Sequence, residues 1–151
     1  MRDIKFRGKR VDDGKWIYGV PTSLTINCYE VKTIIVSKIS TDELDGYHPS
    51  VDYEIVDPET VGQYTELKDD DNFDIYNGDI LLCETTEGKF IAVVEFGNPN
   101  GFYSWGWQLA SDTNFNKDIL LWVETELDHV NCKVIGNIHD NPELMESEEE
   151  R

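Results

Sequence analysis

The chain has 151 residues, with 39% hydrophobic and 11% aromatic content and a formal net charge of −18. A chain of that length buries about 68–70% of its unfolded surface, so it folds without disulfides or a structural metal, and this composition excludes global disorder. One domain, or one domain with a small appendage, is expected.

The charge is unevenly placed. Residues 1–15 hold six basic and three acidic side chains, a net of +3, while the remaining 136 residues hold 7 basic and 28 acidic ones, a net of −21. Such a body repels nucleic acid and anionic membranes and attracts basic partners. The basic arm, Arg2, Lys5, Arg7, Lys9 and Arg10, is the exception and the candidate site for direct nucleic-acid contact. Three well-separated cysteines, Cys28, Cys83 and Cys132, with no CxxC pair, fit a reduced compartment and thiols used as small buried hydrophobes. The start, MRDIKFRGKR, lacks the apolar core of a secretion signal, and no apolar run approaches the ~20 residues of a membrane span.

In chain order the local pattern is β. IKFRG (4–8) alternates apolar and basic residues, and KWIYG (15–19) follows across an Asp13-Gly14 turn, so the two predict a hairpin. VKTIIVSKI (31–39) is β-branched and long enough for a strand; STDELDGYHPS (40–50) is loop; YEIV (53–56) is a short strand. Asp57-Pro58-Glu59-Thr60 predicts a turn or one helical turn. DILLCET (79–85) and KFIAVVEF (89–96) predict a second hairpin with Gly88 at its corner. FYSWGWQLA (102–110) sets Tyr103, Trp105 and Trp107 on one face of a strand, and ILLWVE (119–124) and CKVIGNI (132–138) supply the last strands. Asn141-Pro142-Glu143 starts a short helix, and the tail 146–151 is a solvated charge run. Strands at this spacing suggest a small barrel or sandwich in the C-terminal half.

Between them lies VGQYTELKDDDNFDIYNGDIL (61–81), with three consecutive aspartates, Asp69, Asp70 and Asp71. As a turn it uses carboxylates on nearby amides, Asn72 in the left-handed conformation, Gly78 at positive φ and Asp79 accepting an amide hydrogen bond. As a calcium loop it lacks the required spacing and helical frame. The turn is the expected reading.

The same stretch, DPETVGQYTELKDDDNFDIYNGDIL, resembles the YopX family of phage and prophage proteins, whose pattern runs through a DPxTVGQYTGLKDxxGxxIYEGDI-like segment. The resemblance extends to IKFRGKR and WIYG near the start, VVEFGN at 93–98 and VIGNIHDNPEL at 134–144. Glu66 and Asn72 stand where the pattern usually has glycine, Asn77 where it has Glu and His139 where an aromatic is common; Glu66 argues against a glycine-only geometry at that position. The resemblance implies a mainly β protein with minor α content, its C-terminal half (61–145) similar to an SH3-like barrel, beside a less regular β-rich N-terminal subdomain (1–60). It also implies a phage or prophage accessory protein in the cytoplasm of a bacterial host. It carries no mechanism to any residue.

No GxSxG, P-loop, GxGxxG or HExxH occurs, so catalysis has no signature here. His129, Cys132 and His139 have ligand chemistry but not the tight paired spacing of zinc sites, and no cofactor is expected. The leading expectation is a non-catalytic acidic interaction module for a host or phage protein with a basic surface, in one version a mimic of nucleic acid. Its candidate surface is Tyr103, Trp105, Trp107 and Asp69, Asp70, Asp71. The alternatives are a metal or small-molecule pocket between the halves, and nucleic-acid binding through the arm and the barrel aromatics.

Overall fold

A computed structural model describes residues 4–41, 49–85, 88–97, 106–110, 117–118 and 131–146. The chain divides into two compact units, Met1–Tyr64 and Thr65–Arg151. The division falls after Tyr64 rather than after Thr60. The protein is mainly β, with one 3-10 turn and one short helix among the described residues. No described helix is long and apolar enough to cross a membrane.

The first unit is built on β1 (Phe6–Lys9), β2 (Trp16–Ile26), β3 (Glu30–Thr41), β4 (Pro49–Ile55) and the start of β5 (Gly62–Lys68), in the order β4-β3-β2-β1-β5. The Asp13-Gly14 hairpin forms as the sequence predicts. Gly14 sits at φ 71°, and Asp13 Oδ1 accepts the Lys15 amide at 3.0 Å. β2 continues well past the predicted Gly19, through Pro21 to Ile26. It can do so because β1 pairs only as far as Gly19. Pro21 therefore lies on an edge segment, where one missing N–H is tolerated. A turn with Asn27 at φ 52° and Cys28 at φ 65° then starts β3. Cys28 is exposed there, contrary to its expected role as a buried hydrophobe.

Ile35 and Val56 form the centre of this unit, at 0% and 1% exposure. Gly8 lets Val56 approach: a Cβ on Gly8 would stand 3.2 Å from Val56 Cβ. The 3-10 turn Pro58–Thr60 follows. Asp57 Oδ1 caps it by accepting the Glu59 amide at 3.1 Å, and Thr60 Oγ1 accepts the Lys9 amide at 2.9 Å.

In the second unit β5 continues to Lys68 and is followed by β6 (Asp74–Tyr76), β7 (Asp79–Thr85), β8 (Gly88–Gly97), β9 (Gly106–Ala110), β10 (Lys117–Asp118), β11 (Asn131–Asn137) and the helix α1 (Glu143–Glu146). The last five strands form an antiparallel sheet in the order β10-β9-β8-β7-β11, which leaves β11 at one edge among the described residues. Its core is Ile75, Leu81, Cys83, Phe90, Ala92, Val94, Trp107, Leu109 and Cys132. These residues alternate along their strands, as half-buried strands require. The predicted strand 119–124 lies outside the described residues.

Candidate functional site

Asp69 and Asp70 fold back as a clasp on the edge that β11 forms among the described residues. Asp69 is buried. Its Oδ1 accepts the amides of Asp71 (3.0 Å) and Phe73 (2.9 Å), and its Oδ2 accepts the Val134 amide at 3.0 Å. Asp70 Oδ2 accepts the Cys132 amide at 2.7 Å, and the Asp70 amide donates to the Cys132 carbonyl at 3.0 Å. Two side chains thus occupy the place of a neighbouring strand's carbonyls. An unpaired edge strand otherwise invites association with another chain. Asn72 adopts φ 68° and Gly78 φ 90°, as expected from sequence. Asp79, 1% exposed, accepts the Tyr76 amide at 2.7 Å.

Asp69 and Asp70 therefore use carboxylate oxygens within the fold, as the turn reading expects; of these two members of the candidate surface Asp69 is buried and Asp70 is exposed. Asp71 is exposed, 4.0 Å from Lys133 Nζ. Beside them a recess of about 280 Å³ is lined by Asp70, Asp71, Leu82, Glu84, Asn131 and Lys133. Glu84 pairs with Lys89 at 3.1 Å, and no set of three ligating side chains able to hold a metal occurs among the described residues. The notion of zinc on Cys132 meets its buried place in the core; His129 lies outside the described residues.

Trp107 is 8% exposed and packs in the core, edge-on to Phe96 at 5.0 Å between centroids. It fills the sheet rather than offering a surface, because its position on β9 faces inward with Leu109. Tyr103 and Trp105 lie outside the described residues.

The expected basic arm is the strand β1 and its flanks. Lys5 Nζ lies 4.7 Å from the Tyr64 ring centroid, the Arg7 guanidinium 4.4 Å and Lys9 Nζ 5.7 Å from that of Trp16. Strand alternation explains this: Lys5, Arg7 and Lys9 share one face with Trp16, across the register Lys9↔Trp16. Arg7 is buried. Arg10, on the other face, pairs with Asp12 (2.8 Å), Asp13 (3.5 Å) and Glu54 (3.4 Å). Its hydrogen bond holds the Asp12 carboxyl below the ordinary carboxylate range. Arg2 lies outside the described residues. The alternation in IKFRG puts Lys5 and Arg7 on one face, but it does not show that rings would cover them.

A surface that sequence reasoning missed lies on the first unit. The register Val20↔Val36↔Tyr53 fixes one sheet face, Val51 is two residues from Tyr53 on the same face, and Ile39 lies opposite Val51. Val20 (54%), Ile39 (66%), Val51 (43%) and Tyr53 (44%) are all exposed, with Tyr18 beside them. β4 is the last strand on that side among the described residues. The signal in the sequence was the near-continuous apolar run of β3, but without pairing partners its two faces could not be told apart.

The motif GNIHDN near the end forms a tight polar turn. Asn137 Oδ1 accepts the amides of His139 (3.0 Å) and Asp140 (2.9 Å), and its Nδ2 donates to Asp140 Oδ2 at 3.1 Å. Gly136 is required beside it, because a Cβ there would come within 2.6 Å of Asn141 Oδ1.

These features define a mainly β protein of two compact units, whose motif residues serve turns, edges and close approaches. The chain belongs to the YopX family: the family described as YopX protein matches residues 5–146. No curated protein matches the sequence. Among solved structures it is similar to the crystal structure of protein EF1440 from Enterococcus faecalis, at 21% identity and a TM-score of 0.49 over 96% of this chain and 99% of that one.

Proposed function

We propose that the chain is a non-catalytic phage or prophage accessory protein that binds a protein partner through the apolar face of β2, β3 and β4. The observation that carries this reading is the exposure of Val20, Ile39, Val51 and Tyr53 on one sheet face. Exposed contiguous apolar surface marks interaction sites in water-soluble domains. The partner in this reading presents an apolar strip within a basic surface. Charge supports that choice: residues 1–64 hold 8 basic and 11 acidic side chains, net −3, and residues 65–151 hold 5 and 20, net −15. A field of that sign steers cationic proteins and disfavours nucleic acid. The consecutive antiparallel pairing of β7, β8 and β9 supports an SH3-like barrel as the architecture of the second unit, and the phage or prophage origin that the sequence resemblance implies supports the cytoplasm of a bacterial host as the place of action.

The test is capture from a Gram-positive bacterial lysate by the wild type and by Val20→Ser/Tyr53→Ser, both checked for folding by circular dichroism. The expected result is one basic protein retained by the wild type and reduced at least tenfold with the variant, since two truncated contacts in an interface centre cost about 1 kcal/mol or more each. Equal retention by both proteins refutes the reading. Concentration-dependent self-association of the wild type, abolished in the variant, would make a second copy the occupant instead and equally refute it.

A further inference from the structure

Cys83 and Cys132 stand directly opposite each other on β7 and β11, and both are buried. Their relation follows from where the Cys132 backbone points. Its amide donates to Asp70 Oδ2 and its carbonyl accepts the Asp70 amide, so both groups face outward from the sheet edge. The rung between Cys132 and Cys83 is therefore a non-hydrogen-bonded antiparallel pair. In such pairs the Cα atoms lie about 4.5 Å apart and the side chains approach most closely, within the roughly 4.4–6.8 Å that a disulfide spans. The Val134 amide also faces outward, to Asp69, which confirms the alternation independently.

We propose that Cys83 and Cys132 are a paired redox site, oxidised by a peroxide to a cross-strand disulfide that staples the edge strand β11 to β7. Cys132 reacts first. It is the less enclosed of the two, at 7% exposure against 0%, and it lies on the edge strand behind the Asp70 clasp. Hydrogen bonding to Cys132, then burial, push the Cys83 thiol up, which disfavours Cys83 as the first nucleophile and leaves that step to Cys132. In the first step the Cys132 sulfur attacks one peroxide oxygen. An S–O bond forms, the O–O bond breaks, and the departing hydroxide takes the thiol proton as water. In the second step the Cys83 sulfur displaces hydroxide from the Cys132 sulfenic acid. An S–S bond forms, the S–O bond breaks, and the second thiol proton leaves with a second water. The two sulfurs lose two electrons together and the peroxide gains them. Cys28, exposed in the β2–β3 turn, takes no part.

The experiment uses the full chain carrying Cys28→Ser, treated with hydrogen peroxide under native conditions and then alkylated in denaturant. The expected product is a monomer lighter by two hydrogen atoms, with no alkylatable thiol and one tryptic link between the peptides of Cys83 and Cys132. Dithiothreitol restores both thiols. In the oxidised form the melting temperature rises and the amides of β11 exchange more slowly, changes that independent oxidation of each sulfur would not produce. Wild type treated in parallel should give the same link with Cys28 outside it, so the result does not depend on one variant folding. Two thiols that stay alkylatable, two separately oxidised sulfurs, or a link formed only between molecules would each overturn the proposal.

Discussion

Replacing Asp69 tests whether the acidic run is a clasp. In Asp69→Ala three backbone amides lose their acceptor: Asp71, Phe73 and Val134. Hydrogen bonds to a charged acceptor contribute about 1.5–3 kcal/mol each, but amides that reach water recover part of that. The Asp71 residue is exposed and recovers most; Val134 is half-buried and recovers least. The expected loss is about 3–4 kcal/mol for Ala. Asp69→Asn can keep the two Oδ1 bonds but sets an NH₂ group against the Val134 amide, so about 2 kcal/mol is expected. Guanidinium unfolding followed by near-ultraviolet circular dichroism measures both, and hydrogen exchange at the Cys132 and Val134 amides locates the damage. Loss below about 0.5 kcal/mol for Ala, the level of an ordinary surface change, would refute the clasp.

Glu66 holds φ 70°, a left-handed conformation that costs a non-glycine residue about 1–2 kcal/mol. Glu66→Gly should stabilise the protein by about 0.5–1 kcal/mol, the relief being partly offset by glycine's greater unfolded-state freedom; a lower melting temperature would contradict it. Gly136→Ala should destabilise by about 1–3 kcal/mol, because the new methyl meets Asn141, and thermal unfolding checks this. Arg10→Gln should raise the Asp12 carboxyl toward its ordinary value in a nuclear magnetic resonance titration. A carboxyl whose folded value is depressed stabilises above its unfolded value and loses that contribution as pH falls through the folded value. The wild type should therefore show this contribution fading only below the ordinary carboxylate range, and the variant should lack it.

Most elements were legible because their signals are local. Asp13-Gly14, Asp57-Pro58, Asn72 and Gly78 each dictate backbone geometry from one or two residues, and each holds the geometry expected. Glu66 misled, since it occupies a left-handed position that its chemistry disfavours, held by β5 on either side. β2 runs past the predicted Gly19 through Pro21, and only the length of β1 shows that this proline sits at an edge. The site was less legible than the fold. Whether Asp69 faces solvent or β11, whether Lys5, Arg7 and Lys9 meet ligands or rings, and which face of β3 is covered all depend on pairing between residues far apart in sequence. The partner positions of Cys83 and Cys132, 49 residues apart in sequence, belong to the same class.

The most direct measurement of the binding claim is a titration of the captured partner against purified wild type, Val20→Ser/Tyr53→Ser and Asp71→Asn/Glu84→Gln. The expected result is a Kd raised tenfold or more by the sheet-face pair, with a modest and salt-dependent change, about threefold or less, for the acidic pair. A sheet-face variant that binds like the wild type, with the acidic pair carrying the loss, would contradict it and return the interaction to the carboxylates of the second unit.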